Sequence, residues 1–285
     1  MKSRNLKAML FGAAFAASLT FVGAQPQMPL FPALEVHAAS YQDVELDSKL
    51  KEAVFENNFL LYYQPQYYAG NRKLRGVEAL IRWKDGNGRM ISPAKFIPIA
   101  EKNGTIIPIG NWVLEQSIRT FSEWRNRYGV PFVLSVNISA LQYQKEDFVE
   151  SLLNIIHKYD VDPDEIELEI TESILIDDFS AVTEKMQLLK EYGIRISLDD
   201  FGTGNSSLSL ALELPFDELK VDMSFIRDIK QKPQNQAMVQ SIVDYARRTN
   251  TETCIEGIED KEVSDYIEQF GSTWQQGYYY SKPVP

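Results

Sequence analysis

The sequence predicts an α/β fold, a mainly parallel TIM-type (β/α)8 barrel, on three observations. About eight strand-like runs alternate with helical ones from Tyr41 onward. Alternation of this kind argues for a parallel sheet, and eight repeats argue for closure. Acids and amides recur near the C-terminal ends of those strands, the side on which barrel sites are built. No G-x-G-x-x-G follows the first strand, which weighs against a doubly wound open sheet, the alternative.

The elements follow in order. Residues 45–57 (ELDSKLKEAVFEN) read as a short amphipathic helix and FLLYYQPQYY at 59–68 as an aromatic-rich first strand. After a turn at Gly70-Asn71 comes the second strand, LRGVEALIRW at 74–83. The loop DGNGRMISP leads to a helix near 93–103, then to a longer one over Trp112–Tyr128. FVLSVNIS at 132–139 is the third strand, a helix covers roughly 145–159, and DEIELEIT at 164–171 is the fourth strand. In it Ile166, Leu168 and Ile170 share one face, and Glu165, Glu167 and Glu169 the other. A helix at 179–192 precedes the fifth strand, 194–199, and the sixth, DELKVDMS, lies around 217–224. A helix at 234–249, a strand at 251–259, a helix at 261–270 and a strand at 272–277 complete the chain. No linker or repeat interrupts residues 41–285, which read as one domain.

Residues 1–40 stand outside that fold. Lys2, Arg4 and Lys7 precede an uncharged run from Ala8 to Leu34 whose apolar part, Ala8–Ala24, looks like a signal-peptide core. Val22-Gly23-Ala24 or Val36-His37-Ala38 would be the cleavage-like end. The stretch is short for a spanning helix. An uncleaved anchor, an unstructured leader and a start site placed too early are the other readings.

Composition narrows the chemistry. A formal net charge of −11, from 29 basic and 40 acidic residues, argues against binding a nucleic-acid polymer. Cys254 is the single cysteine, so there is no disulfide, zinc cluster or redox pair. His37 and His157 are the only histidines, which leaves no histidine-based triad. Carboxylates must do the work of any catalysis.

Those carboxylates gather at strand ends: Glu78 on the second strand, Asn137 on the third, Glu169 on the fourth with Glu172 beyond it. The fifth strand delivers Asp199-Asp200 into SLDDFGTGNSSL (197–208), the sixth carries Lys220 and Asp222, the seventh Glu256 and Glu259, and the eighth Gln276. Each alone reads as a surface or turn residue; together they do not. Several carboxylates and an amide oxygen make a hard oxygen cage for one or two Mg²⁺ or Mn²⁺ ions. Two such ions suit in-line phosphoryl displacement by water. A lysine beside them steadies charge or orients the nucleophile, and Arg82 offers a planar fork to a phosphate. Metal-assisted phosphodiester hydrolysis is the reaction class.

EALIRW (78–83) resembles the signature of EAL domains, the cyclic di-GMP phosphodiesterases. The resemblance continues through YYQPQ (62–66), SPAKFIPIAEKNG (92–104), IGNWVLEQ (109–116), VNIS (136–139), ELEITES (167–173), DDFGTGNSSL (199–208), FDELKVDMSFI (216–226), IEGIE (255–259) and QGYYYSKP (276–283), in family order. It implies a TIM-type barrel with an antiparallel first strand, opening cyclic di-GMP to linear 5′-pGpG. It implies metal ligands at Glu78, Asn137, Glu169, Asp199 and Glu256, with Asp200 at the second ion. Lys220 matches the lysine that orients the attacking water, and Gln276 a glutamine near the metals. Glu172 matches a glutamate that anchors the loop after the fifth strand. Gln64 and Arg82 match substrate contacts, and Asp222 and Glu259 sit in matching blocks. A homodimer is also implied. Three departures stand out: Asn205 where an aromatic is usual, Gln66 where an apolar residue is usual, and an end at Pro285 where members commonly continue into a final helix, which implies a looser closure of the barrel.

The leading expectation is an active cyclic di-GMP phosphodiesterase using Mg²⁺ or Mn²⁺. The alternative is an EAL domain that holds cyclic di-GMP or a protein partner without turnover, and a metal-dependent nuclease is a third reading. The leader's basic flank would place the body outside the cell if it anchors, yet cyclic di-GMP is a cytoplasmic signal. The expectation is cytoplasmic catalysis, with membrane association through residues 1–40 left open.

Overall fold

The computed structural model of the chain describes residues 44–54, 58–171, 174, 179–202 and 214–285. The leader, Glu172 and Asn205 lie outside these. The strands are β1 (Phe59–Tyr68), β2 (Leu74–Lys84), β3 (Met90–Ile91), β4 (Val133–Ile138), β5 (Ile166–Thr171), β6 (Arg195–Phe201), β7 (Glu218–Val221), β8 (Glu252–Ile255) and β9 (Trp274–Gln275). All but β3 close into an eight-membered ring, and β3 pairs outside it with β2. β1 is antiparallel to both its neighbours, β2 and β9; the other ring pairs are parallel. The reason is the connection. Residues 69–73 join β1 to β2 through a turn with Gly70 and Arg72 at positive φ, too short for the crossover that a parallel pair requires. The expected TIM-type barrel with an antiparallel first strand is the fold of this chain.

Several boundaries differ from the sequence reading. The helix expected from Trp112 begins at Ile106, because Pro108 falls in the first turn, where a missing N–H costs no bond. It stops at Tyr128, before Gly129 with φ of 61°. β7 ends at Val221 rather than near 224, since the Asp222 carboxylate accepts the Ser224 N–H at 2.9 Å and starts a short helix, Met223–Ile226. β8 and β9 are also shorter than expected. Past them the chain turns over the mouth of the barrel, where Ile258 N–H donates to the Gln276 carbonyl and Tyr279 N–H to that of Ile258.

Side chains alternate across each strand, and here the apolar set faces outward. Leu134, Val136, Leu168, Ile196, Leu198, Leu219 and Ile255 are buried between the ring and its helices. Each contributes about 1.5–3 kcal/mol by leaving water. The lumen is left to the polar set. Among the described residues no helix is long and apolar enough to cross a membrane.

Candidate active site

At the C-terminal end of the ring the lumen is organised around Lys220, whose side chain is 1% exposed. Its Nζ lies 2.7 Å from Glu169 Oε2, 2.8 Å from Glu256 Oε1, 3.3 Å from Asp199 Oδ1 and 3.9 Å from Glu78 Oε2. Four strands, β2, β5, β6 and β7, and the residue after β8 thus send charge to one point. Glu78 is held from both sides: Asn137 Nδ2 donates to Oε1 at 2.7 Å and Gln276 Nε2 to Oε2 at 2.6 Å. The contact between Glu78 and Asn137 crosses the barrel's stagger, because the β4 residue beside Glu78 is Ser135.

Four carboxylates share one ammonium, and Glu78, Glu169 and Glu256 separate in proton affinity accordingly. Burial acts upward on Glu78, but Lys220 and the bonds from Gln276 and Asn137 outweigh it and hold the carboxyl below its ordinary value. Burial, with the Glu78 and Asp199 charges, drives Glu169 well above the usual range despite Lys220. Burial raises Glu256 to about 8, again against Lys220. Burial opposes the charge on Lys220, yet Asp199, Glu169, Glu256 and Glu78 together keep its ammonium protonated well beyond its ordinary range.

A cavity of about 320 Å³ opens above this cluster, lined among others by Glu78, Asp199, Lys220, Glu256 and Gln276. Gln64, Asp222 and Glu259 also line it. Asp200 has φ of 55° and is exposed at the end of β6, its N–H donating to Asp199 Oδ1 at 2.9 Å. Arg82 is not on the cavity wall: its Nη1 donates to its neighbour's carbonyl, Ile81 O, at 2.8 Å, and its guanidinium lies over the Tyr62 ring. Gln64 is engaged by protein at both ends of its amide, with Ser281 O and Gln276 Nε2. Sequence reasoning missed Tyr278, 59% exposed on the cavity lip with Lys282 Nζ 5.3 Å from its ring centre. Its block, QGYYYSKP, was visible, but three successive tyrosines gave no sign of which one faces the cavity.

A second polar layer lies beneath the first. Arg75 Nη2 is 2.6 Å from Glu167 Oε2 and 3.3 Å from Glu218 Oε2, while Nη1 donates to Gln66 Oε1 at 2.8 Å. The guanidinium sits 4.3 Å from the Trp274 ring centre. Gln66, an unusual residue by sequence, is therefore the partner of a buried arginine.

The donor set suits a hard divalent cation: four carboxylates and the Asn137 amide oxygen. Glu169 Oε1 is buried with no hydrogen-bond partner among the described residues, and so is Gln276 Oε1. Among the described residues, however, no three carboxylates already stand as a metal-holding group; they close on the Lys220 ammonium instead. The residue types fit a cation, and the carboxylates would have to turn from Lys220 to take it.

A closed barrel with convergent acids at the C-terminal mouth of its strands is an enzyme-type barrel site. The chain belongs to the EAL domain family, whose profile matches residues 47–283. It is 34% identical over 250 residues to the bifunctional diguanylate cyclase/cyclic di-GMP phosphodiesterase MucR of Pseudomonas aeruginosa, covering 88% of this chain and 36% of that protein. It is 32% identical over 251 residues to the cyclic di-GMP phosphodiesterase PdeR of Escherichia coli, covering 88% of this chain and 38% of that protein. The chain thus spans little more than a third of those two relatives. The solved PaMucR phosphodiesterase in its c-di-GMP complex superposes with a TM-score of 0.81 at 35% identity, covering 85% of this chain and 98% of that one.

Proposed function

We propose that this chain hydrolyses cyclic di-GMP to linear 5′-pGpG, with residues 41–285 as the catalytic unit. The observation that carries the reading is the ring of Glu78, Glu169, Asp199 and Glu256 around the buried Lys220 at the mouth of an EAL barrel. Glu78, Asn137, Glu169, Asp199 and Glu256 would hold a first Mg²⁺ or Mn²⁺, with Asp200 serving a second. Bound there, divalent cations acidify a water and neutralise charge on the phosphate oxygens. Lys220 would orient the attacking oxygen by donating to it, and the proton that oxygen loses would pass to a carboxylate oxygen left free by the cations or to bulk water. Tyr278 offers an exposed aromatic face to a purine. Arg82 reaches a phosphate only by leaving Ile81 O, and Glu172 would anchor the loop beyond β6.

A receptor without turnover is the second reading, favoured by the carboxylates' closing on an ammonium rather than on a metal-sized point. The same proposal carries a homodimer, cytoplasmic catalysis and a membrane contact through residues 1–40. The test is to incubate the full chain with cyclic di-GMP and Mg²⁺ or Mn²⁺ and follow product by chromatography against a metal-free control. Metal-dependent 5′-pGpG is expected. Tight nucleotide binding without product selects the receptor, and neither product nor binding removes both readings.

A further inference from the structure

β1 bonds to β9 only at its far end, where Tyr67 and Tyr68 face Gln275 and Trp274. Nearer the mouth, the same edge of β1 is taken by the C-terminal segment. Tyr63 N–H donates to the Val284 carbonyl at 2.7 Å, and Val284 N–H returns to the Tyr63 carbonyl at 2.9 Å. The next residue, Gln64, turns into the barrel. Its Nε2 donates to the Ser281 carbonyl at 3.1 Å, and its Oε1 accepts from Gln276 Nε2 at 3.3 Å. Gln276 Nε2 in turn makes its short bond, 2.6 Å, to Glu78 Oε2.

An amide has a donor end and an acceptor end, so fixing one fixes the other. A backbone carbonyl only accepts. Ser281 O therefore sets the Gln64 NH₂ toward the segment and the Gln64 oxygen toward Gln276. Gln276 must then present its NH₂ to Gln64 and Glu78. Reversing either amide would set two donors or two acceptors face to face. Ser281 O at one end and the Glu78 carboxylate at the other, both acceptors, are thus satisfied together by one arrangement of the two amides, which the segment holds from the Gln64 side.

We infer that residues 281–284 are a positioning strap for the Glu78 carboxylate, acting through the side chains of Gln64 and Gln276. Gln64 is thereby a positioning residue as well as a candidate substrate contact. The inference rests on the reading of Glu78 as a metal-binding carboxylate.

Val284→Pro tests it by removing one N–H of the strap without altering any side chain of the cavity. In the ¹⁵N-labelled full chain, the side-chain NH₂ resonances of Gln64 and Gln276, assigned with Gln64→Met and Gln276→Met, should both move. Calorimetric Mn²⁺ binding should weaken about tenfold, as for loss of a group that orients a ligand. The double variant V284P/Q64M should bind Mn²⁺ no more weakly than Q64M alone, since both act along one chain of contacts. Pro283→Gly, which loosens the segment and leaves its bonds in place, should move the same readouts less, and serves if V284P does not fold. Unmoved amides in a folded variant, or additive losses in the double variant, overturn the strap. If the parent binds Mn²⁺ but leaves cyclic di-GMP intact, the hydrolase reading falls, while the amide resonances and the double variant still decide the strap.

Discussion

Lys220 is the residue on which the site's electrostatics turn, because it is buried and answers four carboxylates at once. Removing one partner of a buried ionic cluster strands the others, typically at about 3–5 kcal/mol. Lys220→Met in chelator should therefore lower the calorimetric unfolding midpoint by on the order of 10 °C, and added Mg²⁺ should restore part of the loss. The sign with pH follows from Glu169 and Glu256, whose folded proton affinities are raised. Their contribution is fully present below about 4.5 and is lost as pH rises through about 8 for Glu256. The K220M deficit is thus expected to be larger at pH 8 than at pH 5. Glu78→Gln keeps the shape and one acceptor but loses the charge. It should cut metal-dependent turnover at least about a hundredfold, the lower range for a group that stabilises charge at a reacting centre; undiminished turnover would remove Glu78 from the metal set. Glu78, Glu169 and Asp199 were legible from acids recurring at strand ends. The aim of Arg82 was not, since a strand position fixes a face and leaves a long side chain free to fold back on its own backbone.

At the scale of elements, β5 shows both the reach of the sequence and its limit. The alternation of Ile166, Leu168 and Ile170 with Glu167 and Glu169 fixes a strand, but such a pattern ordinarily reads as core on one side and water on the other. Here Glu167 and Glu169 are 0% and 1% exposed. Closure of the ring makes the polar face the interior, and only the count of strands hinted at that. The short β8 and β9 were overextended for a similar reason: the apolar and acidic residues after them belong to loops that pack across the mouth. Gly277 is required there by close approach, because a Cβ would stand 2.1 Å from Ile258 O and 2.3 Å from Ile258 N. Gly277→Ala should force the loops after β8 and β9 apart, costing about 1–3 kcal/mol as overpacking does. It should also weaken turnover by displacing Gln276, which thermal melting and a cyclic di-GMP assay would read together.

Across the whole molecule, the barrel is filled by two charged layers, and the lower one has no signature in the sequence. Arg75 meets Glu167 at a separation of 92 residues and Glu218 at 143, so nothing local announces the cluster. A lone arginine in LRGVEAL reads as an exposed strand residue, yet it is 3% exposed. The two acids around it divide. Burial acts upward on Glu167, but Arg75 prevails and brings it down to about 2. Burial and the Glu167 charge raise Glu218 to about 8. From Glu167 the network reaches the surface through Arg195, which bonds Glu167 at 3.2 Å and pairs with Glu252. A carboxyl protonated when folded and ionised when unfolded binds more protons in the native state. Its stabilising contribution is present below the unfolded value near 4.5 and is lost as pH rises through about 8. Each tenfold of that proton affinity is worth about 1.4 kcal/mol, or about 3–6 °C in the midpoint of a domain this size. Glu218→Gln mimics the protonated acid and cannot ionise. Its unfolding midpoint should match the parent near pH 5 and exceed it by several degrees at pH 9, both measured in chelator so that the upper layer contributes equally. Parallel midpoint curves for the two proteins from pH 5 to pH 9 would show that Glu218 carries no proton in the fold and that Arg75 holds both acids ionised.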